Sequence, residues 1–256
     1  MLRRKFYRAS LFGYCVLFIT IQEPAKKLRL DNTVLIQTEA TISKEMAISN
    51  ALPISLNENA VSFVKTYLKQ YHLTLVVAKK RSENVFPIMD SVFAMYNLPV
   101  QLKYLAVVES DLEISVKSQT GAAGIWQFMP LAARTLGLKT ANDCDERYQV
   151  YKSTEAAARY LKQLHDEFGN WLLAIAAYNA GSGRIHRAIK QAGSYDFWQI
   201  QSYLPLETRN HVKRFIGVHY YFEEHGSITT MTKSEAQQYQ RECLNSSILT
   251  RLRTRL

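Results

Sequence analysis

Cysteine is scarce. Only Cys15, Cys144 and Cys243 occur in 256 residues, and no CxxC pair is present. That count excludes a small scaffold stapled by disulfides. No HExxH motif occurs, so the spacing of side chains indicates no metal site. Ten glycines and six prolines are too few for a collagenous or low-complexity chain. No apolar run approaches the ~20 residues that a membrane-crossing helix needs. No segment keeps strand-like alternation, and no repeat is evident. Acidic residues are the minority sign, 22 against 32 Lys and Arg, for a formal charge of +10. Such a balance suits nucleic acid, a membrane surface or an acidic cell-wall polymer, and equally a solvated basic surface. No nucleic-acid recognition motif supports the first of these.

What is present begins with Arg3, Arg4, Lys5 and Arg8, followed by the apolar run ASLFGYCVLFITI, residues 9–21. A basic n-region before an h-region of this length reads as an export signal. No small-x-small cleavage site follows, so an uncleaved anchor is the alternative. Tyr14 stands before Cys15 where a lipoprotein would have a small residue. Export implies an oxidising compartment, in which Cys144 and Cys243 either pair or stay as separate thiols. The expected layout is therefore a signal or anchor over 1–21, a polar linker over 22–56, one domain over 57–226 and a loosely ordered basic tail over 227–256.

Within the domain the periodicity is helical throughout. Asn57 is placed to cap a first helix carrying Val61, Val64, Tyr67 and Leu68. A second spans about 73–96, with Pro87 kinking or restarting it. Pro99 opens a short apolar helix to Glu109, buried on most sides. Pro130 to Leu136 forms another, stopped by Gly137. Ser153 caps a long helix ended by Gly169. Asn170 caps WLLAIAAY, apolar all round and therefore central. A basic helix follows to Ala192, and a last long one from Pro205 to about Glu224. The fold class is all-α, with little or no sheet.

The chemistry gathers in residues 106–130, AVVESDLEISVKSQTGAAGIWQFMP, and in AAYNAGSG, residues 176–183. Glu109 ends an apolar helix. Desolvation and the partial negative charge of a helix C-terminus both favour the neutral, proton-bearing acid. Such an acid can give its proton to a leaving-group oxygen and later take one back. A solvent-facing Glu at a helix end is the plainer alternative. Tyr178 can orient a carboxyl group through its hydroxyl, or simply pack with a polar tip. Gln127 can bond a sugar hydroxyl, while Trp126 and Met129 can form an apolar sugar platform or core. Gly121 and Gly124 allow close backbone approach to a ligand, or merely a turn.

These motifs resemble a known family. Glu109-Ser110, then Ser118, Gly121-Ala122, Gly124, Gln127 and Met129-Pro130, then Tyr178-Asn179-Ala180-Gly181, are similar to the family 1, soluble-type lytic transglycosylases. GIWQ, HDEFGNWLLAIAAYNAGSGR and LPLETRNHV look most like the membrane-bound murein transglycosylase D branch. The match covers about residues 98–222. The LysM wall-binding repeats common in that branch do not occur in these 256 residues, and Ile114 stands where the family has proline. The resemblance implies a lysozyme-like helical domain. It also implies peptidoglycan glycan strands as partner and a location in the periplasm or cell envelope. Glu109 would be the single acid/base, with Tyr178 hydrogen-bonded to it. Ser118, Gln127, Met129 and Asn179 would contact the sugars. The bond between N-acetylmuramic acid and N-acetylglucosamine would be cut with closure of a 1,6-anhydro ring, without metal or nucleotide.

Two other readings stay open on the same fold. A goose-type lysozyme-like hydrolase needs a second carboxylate to activate water. Its candidates are Asp111, Glu113, Asp143, Asp145 and Glu146, the last three expected as solvated loop charges. A non-catalytic wall-binding protein needs neither Glu109 nor Tyr178.

Overall fold

A computed structural model describes residues 53–141 and 144–253, with side chains to residue 246. The candidate leader at 1–21, most of the linker and Asp143 lie outside the described residues.

Helix α1, Glu58–Gln70, starts at Asn57, whose side chain accepts from the Asn59 N–H. Ala60, Val64 and Tyr67 turn one face of it inward. Helix α2, His72–Met95, runs through Pro87 without restarting. Residues on both sides of the proline, Val85 and Met89, are buried, so packing offsets the lost backbone bond. A 3-10 turn, Val100–Lys103, leads into α3, Tyr104–Ser110, where the sequence suggested one continuous helix. Tyr104, Leu105, Ala106 and Val107 are buried, so α3 is a short peg driven into the core. Asp111 and the buried Leu112 stop it in left-handed backbone conformations, φ 51° and 60°. Aspartate tolerates this conformation but leucine does not adopt it cheaply, and strain of this kind persists where the surroundings over-determine it.

After the loop come α4, Pro130–Thr135, and a two-stranded antiparallel ribbon. The ribbon pairs β1, Thr140–Ala141, with β2, Cys144–Asp145, in register Thr140 with Asp145 and Ala141 with Cys144. Helix α5, Val150–Phe168, begins three residues before the expected cap. Ser153 is instead fully buried and bonds the Gln149 carbonyl at 2.8 Å. Helix α6, Trp171–Ala180, is capped by Asn170, as its sequence suggests, and has seven buried residues in succession from Trp171 to Ala177. It is the axle of the domain, packed against α5, α7 (Ser182–Ala192) and α9 (Leu206–Glu223). Short α8, Phe197–Ile200, lies between the last two. Helix α9 packs in turn on α1 and α3, so the element carrying Glu109 is held between α9 and the core.

The tail departs from expectation. After Glu224 ends α9 in a left-handed conformation, a 3-10 turn and α10, Lys233–Arg253, follow. The link is pinned: Thr229, Thr230 and Thr232 are buried, Asn170 Nδ2 donates to the Met231 carbonyl at 3.0 Å, and Asn57 Nδ2 donates to Glu235. Cys144 and Cys243 are both free thiols. Among the described residues no helix is long and apolar enough to cross a membrane.

Candidate active site

Glu109 lies in the last turn of α3, its side chain 15% exposed. Its Oε1 is 2.8 Å from Nε2 of His211, a residue of α9 whose side chain is 3% exposed. Nδ1 of His211 is buried and has no hydrogen-bond partner among the described residues. That asymmetry selects the tautomer. An imidazolium would bury a second N–H unpaired, whereas the Nε2–H tautomer leaves only an unmatched lone pair, the cheaper defect. His211 therefore donates Nε2–H to Oε1, and Oε2 is the oxygen left for chemistry.

The rest of the site closes around this pair through a ring of hydrogen bonds. Ser110, next to Glu109, donates Oγ–H to the Ile125 carbonyl at 3.0 Å. The adjoining Trp126 carbonyl accepts the Tyr178 hydroxyl at 2.8 Å. Asn179, next to Tyr178, accepts the Thr208 hydroxyl at 2.9 Å. Thr208 lies one turn before His211 on α9, which returns to Glu109. The ends of α3 and α6, the loop 111–129 and the start of α9 are thus one hydrogen-bonded unit.

Within it the expected residues fare differently. The Tyr178 hydroxyl is spent on the Trp126 carbonyl rather than on Glu109, and no bond between Tyr178 and Glu109 is present among the described residues. Burial first, then the charge of Glu109 and the neighbouring Tyr160, hold this phenol well above its ordinary pKa. It is a permanent donor and no base. Trp126 is wholly buried, its Nε1–H on the Thr154 hydroxyl at 3.0 Å, so it is core and not a sugar platform. Met129 is 44% exposed and does present an apolar face. Gln127 adopts φ 46° and donates Nε2–H to the Gly124 carbonyl at 2.8 Å. Ser118 accepts the Ala122 N–H at 2.9 Å and so closes the Gly121 turn.

Three of the alternative acids are otherwise engaged. Arg147, 4% exposed, pairs with Asp145 at 2.6 Å. It also donates to the Gly121 and Phe128 carbonyls at 2.7 and 2.9 Å, staking down the second half of the loop at two points. That hydrogen bonding holds the Asp145 carboxyl below its usual range. Glu146, expected as a solvated charge, is buried, accepting from the Lys139 N–H at 2.9 Å and from Lys152. Its pKa is lowered by those two bonds. Glu113 bonds Ser115 and Arg81, which lower it likewise. Asp111 is raised by burial, against the opposing charges of Arg81 and Arg214.

Sequence reasoning missed His211 and Arg147. The LPLETRNHV stretch carries a family likeness, but its histidine has no signal of its own until α9 is laid against α3.

Residues 93–201 match the family described as Transglycosylase SLT domain. The membrane-bound lytic murein transglycosylase D of Escherichia coli K12 is 40% identical over 127 residues, 48% of this chain and 28% of that protein. The soluble lytic murein transglycosylase of Salmonella typhimurium LT2 is 32% identical over 125 residues, 46% of this chain and 19% of that protein. The chain thus spans less than a third of either relative. Among solved structures, the complex of the 70-kDa soluble lytic transglycosylase with bulgecin A aligns at a TM-score of 0.53. It is 18% identical and covers 80% of this chain and 36% of that one, a likeness of fold alone.

Proposed function

We propose that this chain, similar over residues 93–201 to the transglycosylase SLT domains, is a peptidoglycan lytic transglycosylase of the cell envelope. It would cleave the β-1,4 bond between N-acetylmuramic acid and N-acetylglucosamine and leave 1,6-anhydro ends. The observation that carries this reading is the anchored carboxyl: Glu109 Oε1 on His211 Nε2, with Oε2 facing no other protein donor among the described residues.

The steps follow from that anchor. Neutral Glu109 gives the Oε2 proton to the glycosidic oxygen as the C1–O bond breaks, and the bond electrons leave with that oxygen. Positive charge develops at C1, and the new Glu109 carboxylate lies close to it. The Nε2–H bond from His211 strengthens as the carboxylate charges, which is the differential stabilisation that lowers a barrier. The C6 hydroxyl of the same sugar then attacks C1, and its proton passes to Glu109. One acid serves both steps, and water is not consumed. The internal nucleophile gains from proximity. A hydrolase would need a second carboxylate; Glu113, Asp145 and Glu146 are held in ion pairs at lowered pKa, which leaves Asp111, raised by burial, as the described acid on which a hydrolytic reading would rest.

The wall as substrate accords with the names of the relatives, murein transglycosylases, one of them membrane-bound. Mass analysis of fragments released from purified sacculi in ¹⁸O-water tests the assignment. Anhydromuramoyl ends without label are expected. Labelled reducing ends as the main product would make the protein a hydrolase, and no release at all would leave a binding protein.

A further inference from the structure

A depression of about 380 Å³ opens between α1 and α9. Its α9 wall is Glu207, Asn210 and Arg214. With 3.6 residues per turn, these positions form the strip of α9 next to His211, one turn to either side of it. The facing wall, from α1 and the Tyr71 that follows it, is three aromatic rings with Thr66 and Gln70 between them. Tyr67 and Tyr71 lie with ring centroids 4.9 Å apart, Phe63 stacks behind Tyr67, and Tyr71 is 43% exposed. Asp111, two residues past Glu109, reaches the same place electrostatically: burial raises the Tyr67 phenol to about 12, with Asp111 adding to the rise and Arg214 opposing it. Nε of Arg214 is buried without a hydrogen-bond partner among the described residues.

We propose that this cleft is a glycan subsite that holds one neutral N-acetylhexosamine ring of the strand, away from the bond that Glu109 cleaves. The inference rests on the glycan-cleaving reading above. A single ring matches the volume, near the lower end of the range for ligand pockets. An exposed tyrosine offers the flat apolar surface that a pyranose face covers, and planar amide and guanidinium groups suit paired hydroxyls. Charge decides against other occupants. Arg214 shares the cleft with Glu207 and stands in the field of Asp111, so a carboxylate-bearing stem peptide or a phosphodiester meets two acids for one base.

The consequence is length dependence. Short oligomers fill the positions around Glu109, and only longer ones reach Tyr71. The test is calorimetric binding of the trimer and hexamer of N-acetylglucosamine to the full chain, wild type against Tyr71→Ala and Tyr71→Trp. The hexamer is expected to bind the wild type more tightly. Tyr71→Ala should weaken the hexamer about three- to tenfold and the trimer less than twofold, the scale of one lost contact. Tyr71→Trp should keep or improve hexamer binding, and thermal unfolding verifies the fold of both variants. Equal loss for both oligomers, or no loss for either, overturns the subsite. The outcomes separate from those of the function itself. A Tyr71-dependent hexamer with no anhydro products from sacculi would remove the catalytic reading and keep the subsite. Anhydro products with no Tyr71 dependence would do the reverse.

Discussion

His211 Nε2 lies 2.8 Å from Glu109 Oε1, joining α9 to the last turn of α3, and His211 Nδ1 is buried with no hydrogen-bond partner among the described residues. This contact turns a glutamate at the end of a helix into an oriented acid. One carboxyl oxygen is fixed by an N–H donor on a long, well-packed helix, and the other is presented. Positioning of this kind on rigid elements is what general acid catalysis requires.

Glu109→Gln should abolish turnover. The amide keeps the shape and can still accept from His211, but it has no proton to give. Loss of at least about a thousandfold is expected for a group used in both steps. The circular dichroism spectrum and unfolding midpoint should be close to wild type. Near-normal lysis of sacculi would take Glu109 out of the mechanism.

Tyr178→Phe separates orienting from structural roles. The hydroxyl bonds the Trp126 carbonyl, so its removal strands a buried acceptor at a cost of about 1–2 kcal/mol. Because the Trp126 carbonyl belongs to the loop that Ser110 also grips, the rate should fall as well. A variant with unchanged stability would mean the Trp126 bond contributes nothing.

How much of this was legible beforehand can be followed residue by residue. Asn57, Gly169 and Asn170 marked helix ends correctly, because capping and left-handed backbone are local chemistry. The apolar runs of α3 and α6 marked the centre. Ser153 misled because a buried serine bonding the i−4 carbonyl looks like a cap in one dimension. The α10 region carries no strong apolar stripe and so gave no period to read. Its start depends on contacts from Asn57 and Asn170 that are far away in sequence. Glu109 and Tyr178 were found by motif. Their actual partners, His211 and the Trp126 carbonyl, became visible only when the helices were packed.

Gly124→Ala should be among the most damaging single changes in the loop. Gly124 has φ 72°, and a Cβ there would lie 1.9 Å from the Arg147 carbonyl oxygen. Backbone cannot swing aside as a side chain can, so a cost of ~3 kcal/mol or more is expected from strain and clash together. Gly121, with φ 91° and open space around a Cβ, should tolerate alanine better. Urea unfolding of the two variants checks the order; equal midpoints would contradict the close approach at Gly124.

Stability should decline between about pH 6.5 and pH 4 through His219. This residue is fully buried, packs edge-on against Tyr104 and bonds Ser227, and burial lowers its pKa from 6.5 to about 4. Within that window the unfolded chain takes up a proton that the folded chain refuses. The folded state therefore keeps its full margin above pH 6.5 and loses up to roughly 3 kcal/mol by pH 4. His219→Gln should be less stable overall, with a shallower slope across this range. An unchanged slope in denaturation curves from pH 4 to 7 would assign the acid sensitivity elsewhere.

The decisive series is at His211, because three substitutions differ in one property each. Glutamine can place its Nε2–H where the imidazole Nε2–H lies. Asparagine is one methylene shorter and carries its N–H near the Nδ1 position. Phenylalanine keeps the ring and the packing but has no donor. If His211 served only to fill space, phenylalanine would be the best replacement. If the Nε2–H fixes Oε1 and steadies the carboxylate as it forms, glutamine should be the best. A lost bond to a charged group, worth roughly 1.5–3 kcal/mol, corresponds to a fall of about ten- to a hundredfold in kcat for phenylalanine and asparagine. KM should change little, since His211 is buried behind Glu109 and away from the sugars. The tautomer has its own readout. The ¹⁵N shifts of the wild-type imidazole should show a protonated Nε2 and a bare Nδ1, whether or not substrate is turned over. Phenylalanine outperforming glutamine, or a proton found on Nδ1, would overturn the anchored-acid account of Glu109.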